Sequence, residues 1–141
     1  MYEAAKAASQ EMMEQPAQTA AKPEPRAAMA VVMRFDGFVN YLYPMLTNTN
    51  RLHRVLRDTA IAAVFEQYRL FHAAGKSNQI SRVYEADAGL AFLKELLRFM
   101  ASPERKLVSR RQYEVASVHL AETGAMLGAW VKSAQKRQGG G

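Results

Sequence analysis

An all-α fold, an up-and-down four-helix bundle, is the class this sequence predicts. Three observations carry it. Apolar residues recur at steps of three and four from Val31 to Val131, nowhere does the chain alternate with the period of a strand, and the segments between periodic runs are short. Four runs of about twenty residues each make amphipathic helices whose stripes need one shared core.

The elements follow in order. Met1 to Arg26, "MYEAAKAASQEMMEQPAQTAAKPEPR", is rich in Ala, Gln, Glu and Pro and poor in large apolar residues, so residues 1–27 read as a disordered extension. Val31, Phe35, Phe38, Leu42 and Met45 mark the first helix; Pro44 removes a backbone donor and is expected to kink its last turn. "TNTN" (Thr47 to Asn50) is a turn with several N-cap candidates. Leu52, Leu56, Ala60, Ala63, Leu70 and Ala74 line a second helix, widened by Val55, Ile61, Val64, Phe65 and Phe71. Gly75 is expected to end it in the left-handed C′ conformation, with Ser77 or Asn78 capping the next. Ile80, Val83, Ala86, Leu90, Leu93, Leu97 and Met100 form the third helix, and Ala88, Phe92, Leu96 and Phe99 a second apolar stripe along it. "SPERKLV" (Ser102 to Val108) is a loop, and Ser109 with Gln112 three residues on is a capping box. Tyr113, Ala116, Leu120, Gly124, Leu127 and Val131 carry the fourth helix. The bundle therefore spans residues 28–137, and residues 138–141 are a flexible tail ending in three glycines.

Two of these helices carry more than one core requires. The third is apolar over two stripes, and a helix apolar on more than one face is buried on more than one side. In the fourth, "GAMLG" (Gly124 to Gly128) and Ala129 form a small-residue strip that another backbone could approach. Both features point to a homo-oligomer.

Composition narrows the function. Cysteine is absent, which removes disulfides, thiolate catalysis and cysteine zinc sites and fits a reducing, cytoplasmic setting. The longest uncharged run, Gly37 to Asn50, is too short to span a bilayer, and no secretory leader opens the chain. The histidines, His53, His72 and His119, fall on separate segments without metal-ligand spacing, and Glu85 and Asp87 lie on different faces of one helix. Neither a catalytic constellation nor a metal or cofactor site is expected. "AAGKSNQISR" (Ala73 to Arg82) resembles the end of a P-loop, yet the position that needs glycine holds Leu70, and the preceding segment is helical rather than a strand. Nucleotide hydrolysis is excluded by the same count.

Charge is the positive signal. Net charge is +6, and residues 1–27 hold three basic and four acidic groups, so the excess belongs to the bundle. An acidic partner, nucleic acid first, suits such a surface. Arg51, Arg54 and Arg57 recur every three residues on one side of the second helix. Arg105, Lys106, Arg110 and Arg111 gather before and inside the first turn of the fourth helix, where cations oppose the helix dipole and helix stability does not explain them. Lys132, Lys136 and Arg137 cluster at its other end, where the dipole favours them. Lys76 and Arg82 flank the second connector. These twelve residues are the candidate nucleic-acid contacts.

"YLYP" (Tyr41 to Pro44), "AGKSNQISRVYEADAGL" (Ala74 to Leu90), "LLRFMA" (Leu96 to Ala101) and "AETGAMLGAWV" (Ala121 to Val131) resemble the accessory variability determinant (Avd) family of diversity-generating retroelements. The resemblance covers about residues 30 to 135, with the four blocks in family order; an extension of this length is a departure from it. It implies a four-helix bundle assembled as a barrel-like homopentamer with a basic surface. It further implies a non-enzymatic partner of a retroelement reverse transcriptase that engages template-repeat RNA, or an RNA-DNA hybrid, in mutagenic cDNA synthesis. The bundle is similar, too, to the intervening-sequence proteins encoded within some bacterial ribosomal RNA genes. Two alternatives stay open: an adaptor whose basic face docks the polymerase without touching nucleic acid, and the role of those intervening-sequence proteins.

Overall fold

A computed structural model of the chain describes residues 24–140. Four α-helices form the body: α1 (Pro25–Thr47), α2 (Arg54–Lys76), α3 (Ile80–Met100) and α4 (Arg110–Gly140), with a single 3-10 turn at Arg51–His53. No strand occurs among the described residues. Each helix packs on two neighbours in the cycle α1, α2, α3, α4, and diagonal helices do not meet. Short connections between antiparallel neighbours dictate that arrangement.

Local chemistry explains the helix ends. Pro25 opens α1 at a position where its missing N–H costs nothing, so the helix begins three residues ahead of the expected border at 28. Residues 1–23, the bulk of the expected extension, lie outside the described residues. Pro44 stays inside α1, and the carbonyl of Pro44 accepts from the Asn48 amide (3.2 Å), Thr47 Oγ1 (3.0 Å) and Asn48 Nδ2 (2.9 Å), which closes the last turn. Asn50 then caps the 3-10 turn by accepting from the Leu52 amide. The capping box forms as expected: Gln112 N–H donates to Ser109 Oγ (3.1 Å) and Ser109 N–H donates to Gln112 Oε1 (2.9 Å). Helix α4 runs on through Gly140, past the expected border at 137.

Gly75 corrects an expectation. It lies inside α2, no glycine among the described residues has positive φ, and the chain continues helical to Lys76. Its lack of a side chain serves packing instead, because a Cβ there would collide with the Cβ of Ala28 on α1. The amide of Glu24 also donates to the Gly75 carbonyl (2.8 Å), tying the entry of α1 to the end of α2. Ser77 contributes as an acceptor for the Gln79 amide (2.9 Å), leaving a connector of only three residues.

The core is built from Phe35, Phe38, Leu42, Phe71, Leu90, Leu97, Leu120 and Leu127 with their buried neighbours. Phe35 lies at the centre of the aromatic packing, with ring centroids 5.0 Å from Tyr68 and 5.5 Å from both Phe38 and Phe71. Rings of this size bury enough apolar surface to contribute about 2–3 kcal/mol each. The α2 stripe keeps most of the expected residues, gains Gln67, and loses Leu52, Val55 and Phe65 to the surface. Ala60, Val64, Gln67, Phe71 and Ala74 face inward, whereas Leu52 is 82% exposed. The addition is polar: Gln67 is tolerated in the core because its Nε2 donates to the Ala86 carbonyl of α3 (2.8 Å). Gly89 makes room for that contact, since a Cβ there would strike Gln67 and Leu70. The second stripe of α3 is left uncovered by this chain, with Phe92 52% exposed.

Candidate nucleic-acid interface

The topology sorts the charges. One end of the bundle, the corner end, holds the α1–α2 and α3–α4 junctions. The other, the connector end, holds the α2–α3 connector, the start of α1 and the end of α4. Residues 48–60 and 95–114, at the corner end, contain eight Lys/Arg and four Asp/Glu. Residues 24–26, 76–85 and 132–138, at the connector end, contain six and two. The waist between them has three cations (Arg34, Arg69, Lys94) against four acids (Asp36, Glu66, Asp87, Glu122). Net charge is thus +4 at each end and −1 between, and the excess is bipolar rather than a single face. The 21 residues of α3 separate the ends by about 30 Å, several Debye lengths at physiological salt, so the two charge clusters are screened from one another.

At the waist two of the three cations are paired. Arg34 Nη1 meets Glu122 Oε2 at 2.9 Å, joining α1 to α4, and Arg69 pairs with Glu66 one turn away. The hydrogen bond from Arg69 holds the Glu66 carboxyl below its usual range, and Arg98 does the same to Glu95. Inside the waist Tyr68 donates its hydroxyl to Asp36 Oδ1 (2.5 Å). Burial first, then that hydrogen bond, pushes the Tyr68 hydroxyl pKa upward.

The α3–α4 loop presents the densest set of cations and is tightly built. The carbonyl of Met100 accepts from the amides of Leu107 (2.9 Å) and Val108 (3.2 Å), and Val108 is buried beneath it. Arg105 and Lys106 both donate backbone N–H to the Ser102 carbonyl, at 3.1 and 2.8 Å, closing a single helical turn. Lys106 ends that turn with φ 50°, the only non-glycine residue with positive φ among those described. A lysine there accepts strain that glycine would not. Arg105 lies over the Phe99 ring, its guanidinium carbon 3.3 Å from the centroid, while Nη1 donates to Ser102 Oγ. Arg110 and Arg111 are exposed in the first turn of α4, which contains no acid; Arg110 reaches Glu114 at 3.4 Å.

Across the same end, Arg51 and Arg54 are exposed around an open depression they share with Leu52 and Val55. Arg57 is half-buried and bound to Asp58 (3.0 Å). Among the described residues Arg51, Arg54, Lys106 and Arg111 form no ion pair. With Lys76, Lys132 and Lys136 at the other end, which also form no ion pair among the described residues, these exposed cations have the least to lose on meeting an anion.

The remaining candidates lie at the opposite end. Lys76, Arg82, Lys132 and Lys136 are exposed, with Arg82 bound to Glu85 (3.3 Å). Arg137 is occupied: it pairs with Glu24 at the entry of α1 and reaches back to the Ser133 carbonyl (3.4 Å). The twelve candidates therefore divide seven to five between two ends that do not touch. Phe99 was legible only as part of an apolar stripe, and the path of the loop brings Arg105 onto it. Among the described residues no three His, Cys, Asp or Glu side chains gather to hold a metal, and no helix is long and apolar enough to cross a membrane.

The model of a family described as bAvd-like matches residues 29–134. No curated protein matches the chain. The matched span contains α2 and α3 whole, most of α1 and α4, and ten of the twelve candidate cations, leaving Lys136 and Arg137 just beyond it.

Proposed function

The chain belongs to the bAvd-like family, and on that premise we propose that it is a non-enzymatic accessory protein of a diversity-generating retroelement. In this reading it binds the retroelement reverse transcriptase and template-repeat RNA in the cytoplasm and supports mutagenic cDNA synthesis. The observation that carries the RNA part is the corner end, where Arg51, Arg54, Lys106 and Arg111 stand without ion-pair partners among the described residues. Each such cation set against a phosphate releases counterions and adds salt-sensitive affinity. RNA helices are read mainly by shape and backbone, which suits exposed arginines on a rigid end.

A bipolar charge pattern favours a second surface for the second partner. The connector end, with Lys76, Lys132 and Lys136, is free to meet an acidic patch of the polymerase while the corner end holds RNA. Assembly as a homopentamer is part of the proposal. It is supported by the uncovered Phe92 on α3 and by the exposed Ala121, Ala125 and Ala129 on α4. Light scattering on the purified protein measures that stoichiometry directly.

The test of the RNA reading is fluorescence anisotropy with purified protein and template-repeat RNA across a salt series. Affinity is expected to fall steeply with salt, with a slope that counts phosphate contacts. Replacing Arg105, Lys106, Arg110 and Arg111 with glutamate is expected to weaken binding while the assembly persists. Unchanged affinity in that intact variant removes the α3–α4 loop from the interface. Absence of binding even at low salt favours the adaptor reading, in which both ends serve the polymerase.

A further inference from the structure

We propose that Arg105, laid on the ring of Phe99, is a stacking platform for one unpaired nucleobase, so that the corner end distinguishes strands that carry free bases from a bare sugar-phosphate backbone. The proposal rests on the nucleic-acid reading of this surface and adds a specific contact to it. The guanidinium carbon lies 3.3 Å from the Phe99 centroid. That is the thickness of two stacked planes, and a guanidinium standing on edge would drive its nitrogens into the ring. The group therefore lies flat, and its second face is turned away from Phe99.

Three further observations separate this arginine from its neighbours. Ser102 Oγ accepts from Nη1 and fixes the rotation of the plane. No carboxylate among the described residues pairs with Arg105, although Glu104 is adjacent and exposed, so an ion pair does not account for its position. Phe99 as a residue is still 42% exposed despite the cover. Arginine held in this way has already given up rotamer freedom, which lowers the ordering cost when a base stacks on it. Lys106, Arg110 and Arg111 are exposed on the same loop and first turn, placed for the phosphates on either side of that base. Stacking accepts any base, because every base has a π face, so the contact adds affinity without a sequence code.

The experiment compares two fluorescein-labelled strands by anisotropy: a twelve-residue oligoadenylate and an abasic ribose-phosphate strand of equal length and charge. Wild-type protein is expected to bind the base-bearing strand about 5-fold to 100-fold more tightly, the range for one base–aromatic or base–guanidinium stack. Arg105→Lys keeps the charge and loses the plane. It is expected to bring the ratio close to one. Phe99→Leu, checked for native helicity by circular dichroism, is expected to lower the ratio through loss of the supporting ring. Equal affinity of the wild type for both strands overturns the platform and leaves the RNA surface standing, and so does a ratio that survives in Arg105→Lys. Failure of both strands to bind at low salt overturns the nucleic-acid reading, and the platform with it.

Discussion

Replacing Lys106 with glycine separates the two roles of the α3–α4 loop, since fold stability and RNA affinity are expected to move in opposite directions. Lys106 holds φ 50° at the end of the Ser102 turn. A side chain in the left-handed region costs about 1–2 kcal/mol, which glycine avoids. Glycine also frees the unfolded chain, returning about 0.5–1 kcal/mol of that gain. The net expectation is a stabilisation of about 0.5–1 kcal/mol, or a rise of about 2–4 °C in Tm for a domain of this size. The lost charge acts on binding alone: if Lys106 meets a phosphate, the slope of log affinity against log salt becomes shallower by about 0.7–0.9. Lys106→Ala is the control, because it removes the charge and keeps the backbone strain. Differential scanning calorimetry and the anisotropy salt series read the two effects. A Lys106→Gly protein no more stable than Lys106→Ala would show that the loop is unstrained and that the argument from conformation to charge is wrong.

Two other perturbations probe the packing. Gly75→Ala is expected to destabilise by about 1–3 kcal/mol, the usual cost of overpacking, because its Cβ collides with Ala28 and must lift the start of α1. Gly128→Ala meets nothing within 4 Å and is expected to stabilise the chain by about 0.5–1 kcal/mol in urea titration; loss of the assembly in that variant would instead locate a subunit contact on the α4 strip. The third prediction concerns pH. Tyr68 is held neutral in the fold, its pKa raised by burial and by donation to Asp36, so its contribution is complete below pH 10 and declines as pH rises further. Urea midpoints measured from pH 8 to 11 are expected to fall more steeply for wild type than for Tyr68→Phe, and superimposable curves would contradict the assignment.

The helices were legible because their signals are local. A capping box needs only Ser109 and Gln112, a helix start only Pro25 and the run that follows, and the α3 core only the spacing from Val83 to Met100. On α2 the apolar positions Ala60, Val64, Phe71 and Ala74 were legible, but Gln67 was not, because its burial depends on a partner nineteen residues away, on another helix. Gly75 was misread for a similar reason. As a local signal it resembles a helix stop, yet its role depends on Ala28. Among the candidate cations, each side chain was visible, and so was the sum of charge. Which of them pair with acids, and which share an end, was not.

By itself the sequence determined that this is a basic, cysteine-free, all-helical chain, where its helices run, and which family it resembles. Those properties depend on composition and on interactions within about one helical turn. Only the tertiary structure decided that the excess charge divides between two ends around a weakly acidic waist, that Lys106 is held left-handed, and that Arg105 lies on Phe99. The physical reason is that antiparallel packing brings distant segments to the same end, and the loop between α3 and α4 folds back along a path that neither helix specifies alone.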